Sequence, residues 1–132
     1  MLKQIFCLSI LLLGIGPAYA QEISQQTALH IIVGEAANQG LEGMICVGEV
    51  LRHRGSTQGF YGYKTERDEA PSIWNMAAKA WAISKNTDYT KGADHFENVK
   101  RFGLPYWAKD CVITFQYKDH VFFKEHRFHP SH

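Results

Sequence analysis

Up to about residue 84 the apolar residues of this chain recur at helical spacing, and beyond residue 86 they do not. That change of period constrains the fold more than any other feature. A chain that is helical first and strand-like later must pack its helices together and close them with a short sheet, which is the α+β class. Ala28, Leu29, Ile31, Ile32 and Ala36 sit at helical spacing, with Ser24 or Thr27 as N-cap, and the cluster Asn38-Gln39-Gly40 stops the helix. A second helix is predicted over residues 41–53, with Leu41, Met44, Ile45, Gly48 and Leu51 along one stripe. Gly43 and Gly48 weaken its helix propensity but admit a neighbouring backbone, so the two helices are expected to pack as a hairpin. Residues 55–70 are polar and rich in Gly and Tyr, a long loop of the kind that carries function. A third helix follows Pro71-Ser72 and runs to residue 84, burying Ile73, Met76, Ala77, Ala80 and Trp81. After Asn86 loops and short strands are expected, closing with a hairpin of residues 111–117 and 120–124 around Lys118-Asp119. The tail, residues 125–132, reads as polar and frayed.

The start of the chain reads as a secretory signal over residues 1–20. Lys3 supplies the positive start, residues 5–15 are apolar, and Ala18-Tyr19-Ala20 fits a cleavage site. The apolar run is shorter than the roughly 20 residues a membrane span needs, so no stable span is expected after cleavage. The product is expected to be exported, to the periplasm or the cell wall. Removing the first 20 of 132 residues leaves 112, residues 21–132, a common size for one compact domain. The whole chain has 14 basic and 13 acidic residues, and loss of Lys3 makes the remainder formally neutral. Neutrality argues against nucleic acid as a partner, because a nucleic-acid binder needs a basic face. Neutral sugar polymers remain open, and the three Trp, six Tyr and eight Phe suit them. Cys46 and Cys111 follow the signal, and the spacing leaves open whether they form a disulfide or stay as two buried thiols.

Glu35 is the first candidate for chemistry. At 3.6 residues per turn it shares a face with Ala28, Ile31 and Ile32, so a carboxylate is set on a buried stripe. Desolvation there disfavours the charged form, which is what a general acid for a glycosidic oxygen requires near neutral pH. The plain alternative is a Glu that tilts to solvent at a helix end or pairs with Arg52 or Arg54.

Three strings add to this. The run Ile32-Val33-Gly34-Glu35-Ala36-Ala37-Asn38-Gln39-Gly40-Leu41-Glu42-Gly43, continuing as a small-apolar helix to His53-Arg54, resembles the opening of the SleB-like cell wall hydrolases. Gly92-Ala93-Asp94-His95-Phe96-Glu97-Asn98 is similar to that family's Gly-Ala segment leading to an aromatic residue and an Asn, and Lys118-Asp119-His120-Val121-Phe122-Phe123-Lys124 to its closing His-x-Phe hairpin. The resemblance spans residues 28–124, with the motifs in the family's order. It implies a compact lysozyme-like domain that cuts peptidoglycan glycan strands between N-acetylmuramic acid and N-acetylglucosamine, with Glu35 matching the catalytic Glu. His53 departs from the Asn that the family usually places before the Arg.

Tyr61, His95, Asn98 and His120 are the candidate substrate-binding residues, since phenols, imidazoles and amides hydrogen-bond sugar hydroxyl and acetamido groups. Their ordinary readings are a packed loop aromatic for Tyr61, a satisfied ring for His95, a turn cap for Asn98 and a hairpin-fixing residue for His120. Trp74, Trp81 and Trp107 are assigned to the core rather than the groove. No cofactor and no metal is expected: His126, His129 and His132 recur every third residue, but no pattern supplies a fourth zinc ligand. One buried Glu suits a lytic transglycosylase, in which the muramic hydroxyl attacks its own ring carbon. A two-carboxylate muramidase would draw its second acid from Glu42, Glu49, Asp94 or Glu97. Two further alternatives are a Cys/His peptidase or amidase built on Cys46 or Cys111, and a glycan-binding envelope protein without catalysis.

Overall fold

The computed structural model describes residues 22–62 and 68–126. The signal reading, the middle of the 55–70 loop, and His129 and His132 lie outside those residues. The chain is α+β with its helices first: α1 (Gln25–Ala36), α2 (Gly40–Arg54), α3 (Pro71–Ser84), β1 (His95–Glu97), α4 (Val99–Phe102), a 3-10 turn (Tyr106–Asp110), β2 (Cys111–Tyr117) and β3 (His120–Glu125). No helix among the described residues is long and apolar enough to cross a membrane.

Ser24, not Thr27, caps α1, its Oγ accepting the Thr27 amide at 3.2 Å. The chain turns from α1 into α2 through Gly40, whose φ of 75° is left-handed and favours glycine. At the other end Gly55 closes α2 at φ 64°, its amide donating to the Leu51 carbonyl.

The sequence predicts an apolar stripe on α2, but α2 is buried on every side from Gly43 to Leu51. It is the central helix, packed against α1, α3 and β1. The two glycines make this possible. A Cβ on Gly48 would lie 2.8 Å from Ser84 Oγ of α3, and one on Gly43 would lie 3.3 Å from the Tyr117 ring of β2. Arg52 locks the α2–α3 contact by donating to Ser84 Oγ at 2.9 Å and to the Trp81 carbonyl at 2.6 Å. Its guanidinium lies 3.5 Å over the Trp81 ring.

The sheet is antiparallel in the order β1-β3-β2, so β3 is its middle strand. Phe122 and Phe123 are both buried although adjacent. Neighbouring strand residues point to opposite faces, so Phe122 enters the helical core while Phe123 meets the edge of the Trp107 ring. The β2–β3 turn at Lys118-Asp119 forms as expected, and Lys118 Nζ ties it to the Gln39 carbonyl between α1 and α2 at 3.0 Å.

Both cysteines are free. Cys46 is buried mid-helix, and burial, followed by the charges of Glu49 and Glu42, pushes its thiol up to about 12. A thiol so protonated at neutral pH is a small hydrophobe rather than a nucleophile.

Candidate functional site

An open groove of about 850 Å³ runs along one side of the molecule. Five segments build it: Glu35 from the last turn of α1, Arg54 at the end of α2, the following loop with Ser56, Gln58, Gly59, Phe60 and Tyr61, then His95, Phe96 and Glu97 of β1, and Tyr106 and Trp107 of the 3-10 turn. Tyr61 and Tyr106 are 71% and 86% exposed and stand at the rim of the groove.

Glu35 is half-buried at the groove wall rather than enclosed in the core. The residue before it explains how the loop reaches it. A Cβ on Gly34 would sit 2.6 Å from the Gly62 carbonyl carbon and 2.8 Å from its Cα and O, so the loop backbone rests directly on the helix backbone. That contact brings the Gly62 amide to Glu35 Oε1 at 3.4 Å. Gly34→Ala is therefore expected to push the loop off the helix. Overpacking of this kind costs about 1–3 kcal/mol, and it should lower activity per folded molecule as well as the urea midpoint. An unchanged midpoint would mean that the loop does not press on α1 in solution.

Arg54 braces the opposite wall. Its Nε donates to the Asp94 carbonyl at 2.9 Å, its Nη1 to the Gln58 carbonyl at 2.7 Å, and its guanidinium lies 4.3 Å over Phe60. Burial lowers its pKa, and the charges of Asp94 and Glu35 act against that. One cation thus lies within electrostatic reach of both acids.

Asp94, next in sequence to the groove residue His95, is buried and does not itself line the groove. Its Oδ1 takes a 2.9 Å contact with His95 Nδ1 and accepts the Glu125 amide at 3.0 Å. Burial alone would raise its pKa, but the bonds from His95 and the Glu125 amide outweigh it and hold the carboxyl below the ordinary range. The His95 ring lies against Trp107 with centroids 4.9 Å apart and planes tilted by 44°.

Glu35, Tyr61 and His95 of the expected residues thus meet in one groove. Asn98 and His120 are not among its lining residues. Asn98 caps α4, its Oδ1 accepting the Arg101 amide at 3.0 Å. His120 is buried behind the groove, its ring 4.9 Å from Phe96, and its Nδ1 finds no hydrogen-bond partner among the described residues. Trp107, assigned to the core from sequence, is instead a groove wall. Arg54, Phe96 and Tyr106 line the groove as well, beyond the residues expected from sequence; Arg54 and Phe96 stand in the family-like strings, while Tyr106 has no comparable signal. Of the possible second carboxylates, Glu97 alone joins Glu35 in the lining, with Oε1 accepting the Asn98 amide at 2.9 Å. Glu49 is buried elsewhere, against residues 87–90.

Burial lowers the pKa of His120, Asp119 only partly opposing it. The unfolded chain, with an imidazole near 6.5, then binds the proton first. Stability is full above that pH and falls as pH drops from about 6.5 toward the folded value. His120→Phe should flatten this part of the curve in urea unfolding followed between about pH 7.5 and 5. Equal slopes for the two proteins would sink the assignment.

Comparison with known protein families, with curated proteins and with solved structures finds no match to this chain.

Proposed function

We propose that this protein is an exported enzyme that cleaves the glycan strand of peptidoglycan between N-acetylmuramic acid and N-acetylglucosamine, with Glu35 as the acid. The observation that carries the reading is the placement of Glu35 in one open groove with Tyr61, Tyr106 and Trp107. Aromatic faces cover sugar rings, and a half-buried carboxyl beside them is positioned to protonate a glycosidic oxygen. The likeness of residues 28–124 to the SleB-like hydrolases supports the same reading, as does the position of Glu35 in the last turn of α1 at the groove wall. In the lytic transglycosylase form the muramic hydroxyl closes on its own ring carbon and leaves an anhydro end.

A second reading, hydrolysis with two carboxylates, draws on Glu97, which lines the groove with Glu35. The Cys/His peptidase reading has lost its support, because Cys46 is 2% exposed with its thiol pushed up to about 12, and neither cysteine lines the groove.

Incubating the protein with purified sacculi tests the proposal. Soluble muropeptides are expected, with anhydro-muramic ends from a transglycosylase and reducing ends from a hydrolase, one water apart in mass. Binding to sacculi without release would leave a glycan-binding protein and end the enzymatic reading.

A further inference from the structure

Asp94 and His95 form a pair that the single-acid scheme does not use. His95 Nδ1 is 2.9 Å from Asp94 Oδ1, and Nε2 makes no hydrogen bond among the described residues. A buried carboxylate beside Nδ1 fixes the proton there, because a carboxylate only accepts. Nε2 of the neutral ring is then a bare acceptor on a side chain that lines the groove with Glu35. The carboxylate is itself anchored by the Glu125 amide at 3.0 Å, and Arg54 holds the Asp94 carbonyl at 2.9 Å. The imidazole also lies against the Trp107 ring, the two planes tilted by 44°, which limits how far it can turn. A ring fixed in this tautomer presents Nε2 as a hydrogen-bond acceptor to a hydroxyl group in the groove.

We propose that His95 is the second acid/base group of this site, with Asp94 as its positioning residue. The proposal rests on the glycan-cleavage reading and deepens it. As Glu35 gives its proton to the glucosamine O4 and the bond from that oxygen to the muramic C1 breaks, a hydroxyl attacks C1. That hydroxyl belongs either to the muramic residue or to water. Its proton passes to His95 Nε2 as the new C1–O bond forms. The imidazolium keeps its Nδ1–H bond to Asp94 and returns one proton through solvent to the Glu35 carboxylate before the next cycle. Nothing is oxidised or reduced, and each proton is accounted for.

The test uses sacculus digestion by wild type, His95→Ala, His95→Gln and Asp94→Asn, with imidazole nitrogen NMR of wild type and Asp94→Asn. In its neutral form the wild-type ring should carry its proton on Nδ1 and leave Nε2 bare, and Asp94→Asn should disturb that tautomer. Each His95 variant should lose about 100-fold or more in rate. Added imidazole should restore part of the activity of His95→Ala, filling the space beside Trp107, which a purely structural role would not allow. His95→Gln guards against a folding failure of the alanine variant, since it keeps polarity and bulk without basicity. Folded His95→Gln at the wild-type rate overturns the proposal, as does a wild-type ring with its proton on Nε2. Should wild type release nothing from sacculi, the glycan reading fails and this proposal falls with it; a His95-independent release sinks this proposal alone.

Discussion

Glu35→Gln is expected to fold as wild type does and to release muropeptides about 100-fold to 10,000-fold more slowly, the range associated with loss of a general acid. The amide matches the carboxyl in shape but delivers no proton. Its oxygen can still accept the Gly62 amide, which reaches Glu35 Oε1 at 3.4 Å. Because the side chain is half-buried at the groove wall, the stability change should stay within about 1 kcal/mol. Folding and activity should therefore separate, by urea unfolding on one side and fragment release on the other. A well-folded Glu35→Gln that works at the wild-type rate would remove Glu35 from the chemistry, whatever else lines the groove. Partial activity within a few-fold of wild type would assign it a binding role instead.

How far the groove could be read from sequence follows from which parts of it are local. The third helix was legible because its signals are short-range: Pro71 opens it, its apolar face has a helical period, and it ends at Ser84 as expected. The closing hairpin was legible for the same reason, from its alternation and the Lys118-Asp119 turn. Glu35 could be found because its three-dimensional neighbours Ala28, Ile31 and Ile32 are its helical neighbours. The facing wall has no such signal. β1 is three residues long, too short to show a period, and its place comes from pairing His95 with Phe123 and Phe96 with Phe122 at the far end of the chain. Trp107 reads as core from its bulk and near-helical spacing, neither of which shows which wall it faces. Its role depends on the 3-10 turn, which lays it between His95 and Phe123. Asn98 and His120 lie close to the right segments in sequence, yet one turns to cap a helix and the other faces inward. Asn98 follows the end of β1 and its side chain is taken up by the cap of α4, while His120 lies on the same face of β3 as the core residue Phe122.

Glu49 shows the reverse case, a carboxylate that looked available for chemistry and serves the fold. It is fully buried on α2 and binds residues 87–90 through four hydrogen bonds. Oε2 accepts the Thr87 hydroxyl at 2.6 Å and the Tyr89 amide at 3.1 Å, and Oε1 accepts the Thr90 amide and hydroxyl, each at 2.9 Å. No backbone acceptor is bonded to those two amides, so the side chain completes the hydrogen bonding of a turn that has no regular structure of its own. Glu49→Ala removes the acceptor and leaves the two buried Thr90 donors facing a void, while the Thr87 and Tyr89 donors are only partly buried. A buried donor without a partner costs about 1–3 kcal/mol, so with two of them, and two part-buried bonds lost besides, a loss of roughly 3–5 kcal/mol is expected. That is a large part of the 5–15 kcal/mol typical of a whole domain. Glu49→Gln should recover only part of it, because its amide nitrogen would meet two donors where Oε2 met them. Thr90→Val in both backgrounds isolates the coupling: the two substitutions should cost clearly less together than the sum of their separate effects. The loop continues through Ala93 and Asp94 into β1, so its loosening should also displace His95 and Glu97 and lower activity per folded molecule below that of wild type. Urea unfolding decides the stability claim, and a loss under about 1 kcal/mol for Glu49→Ala would show that the turn holds its shape without this carboxylate.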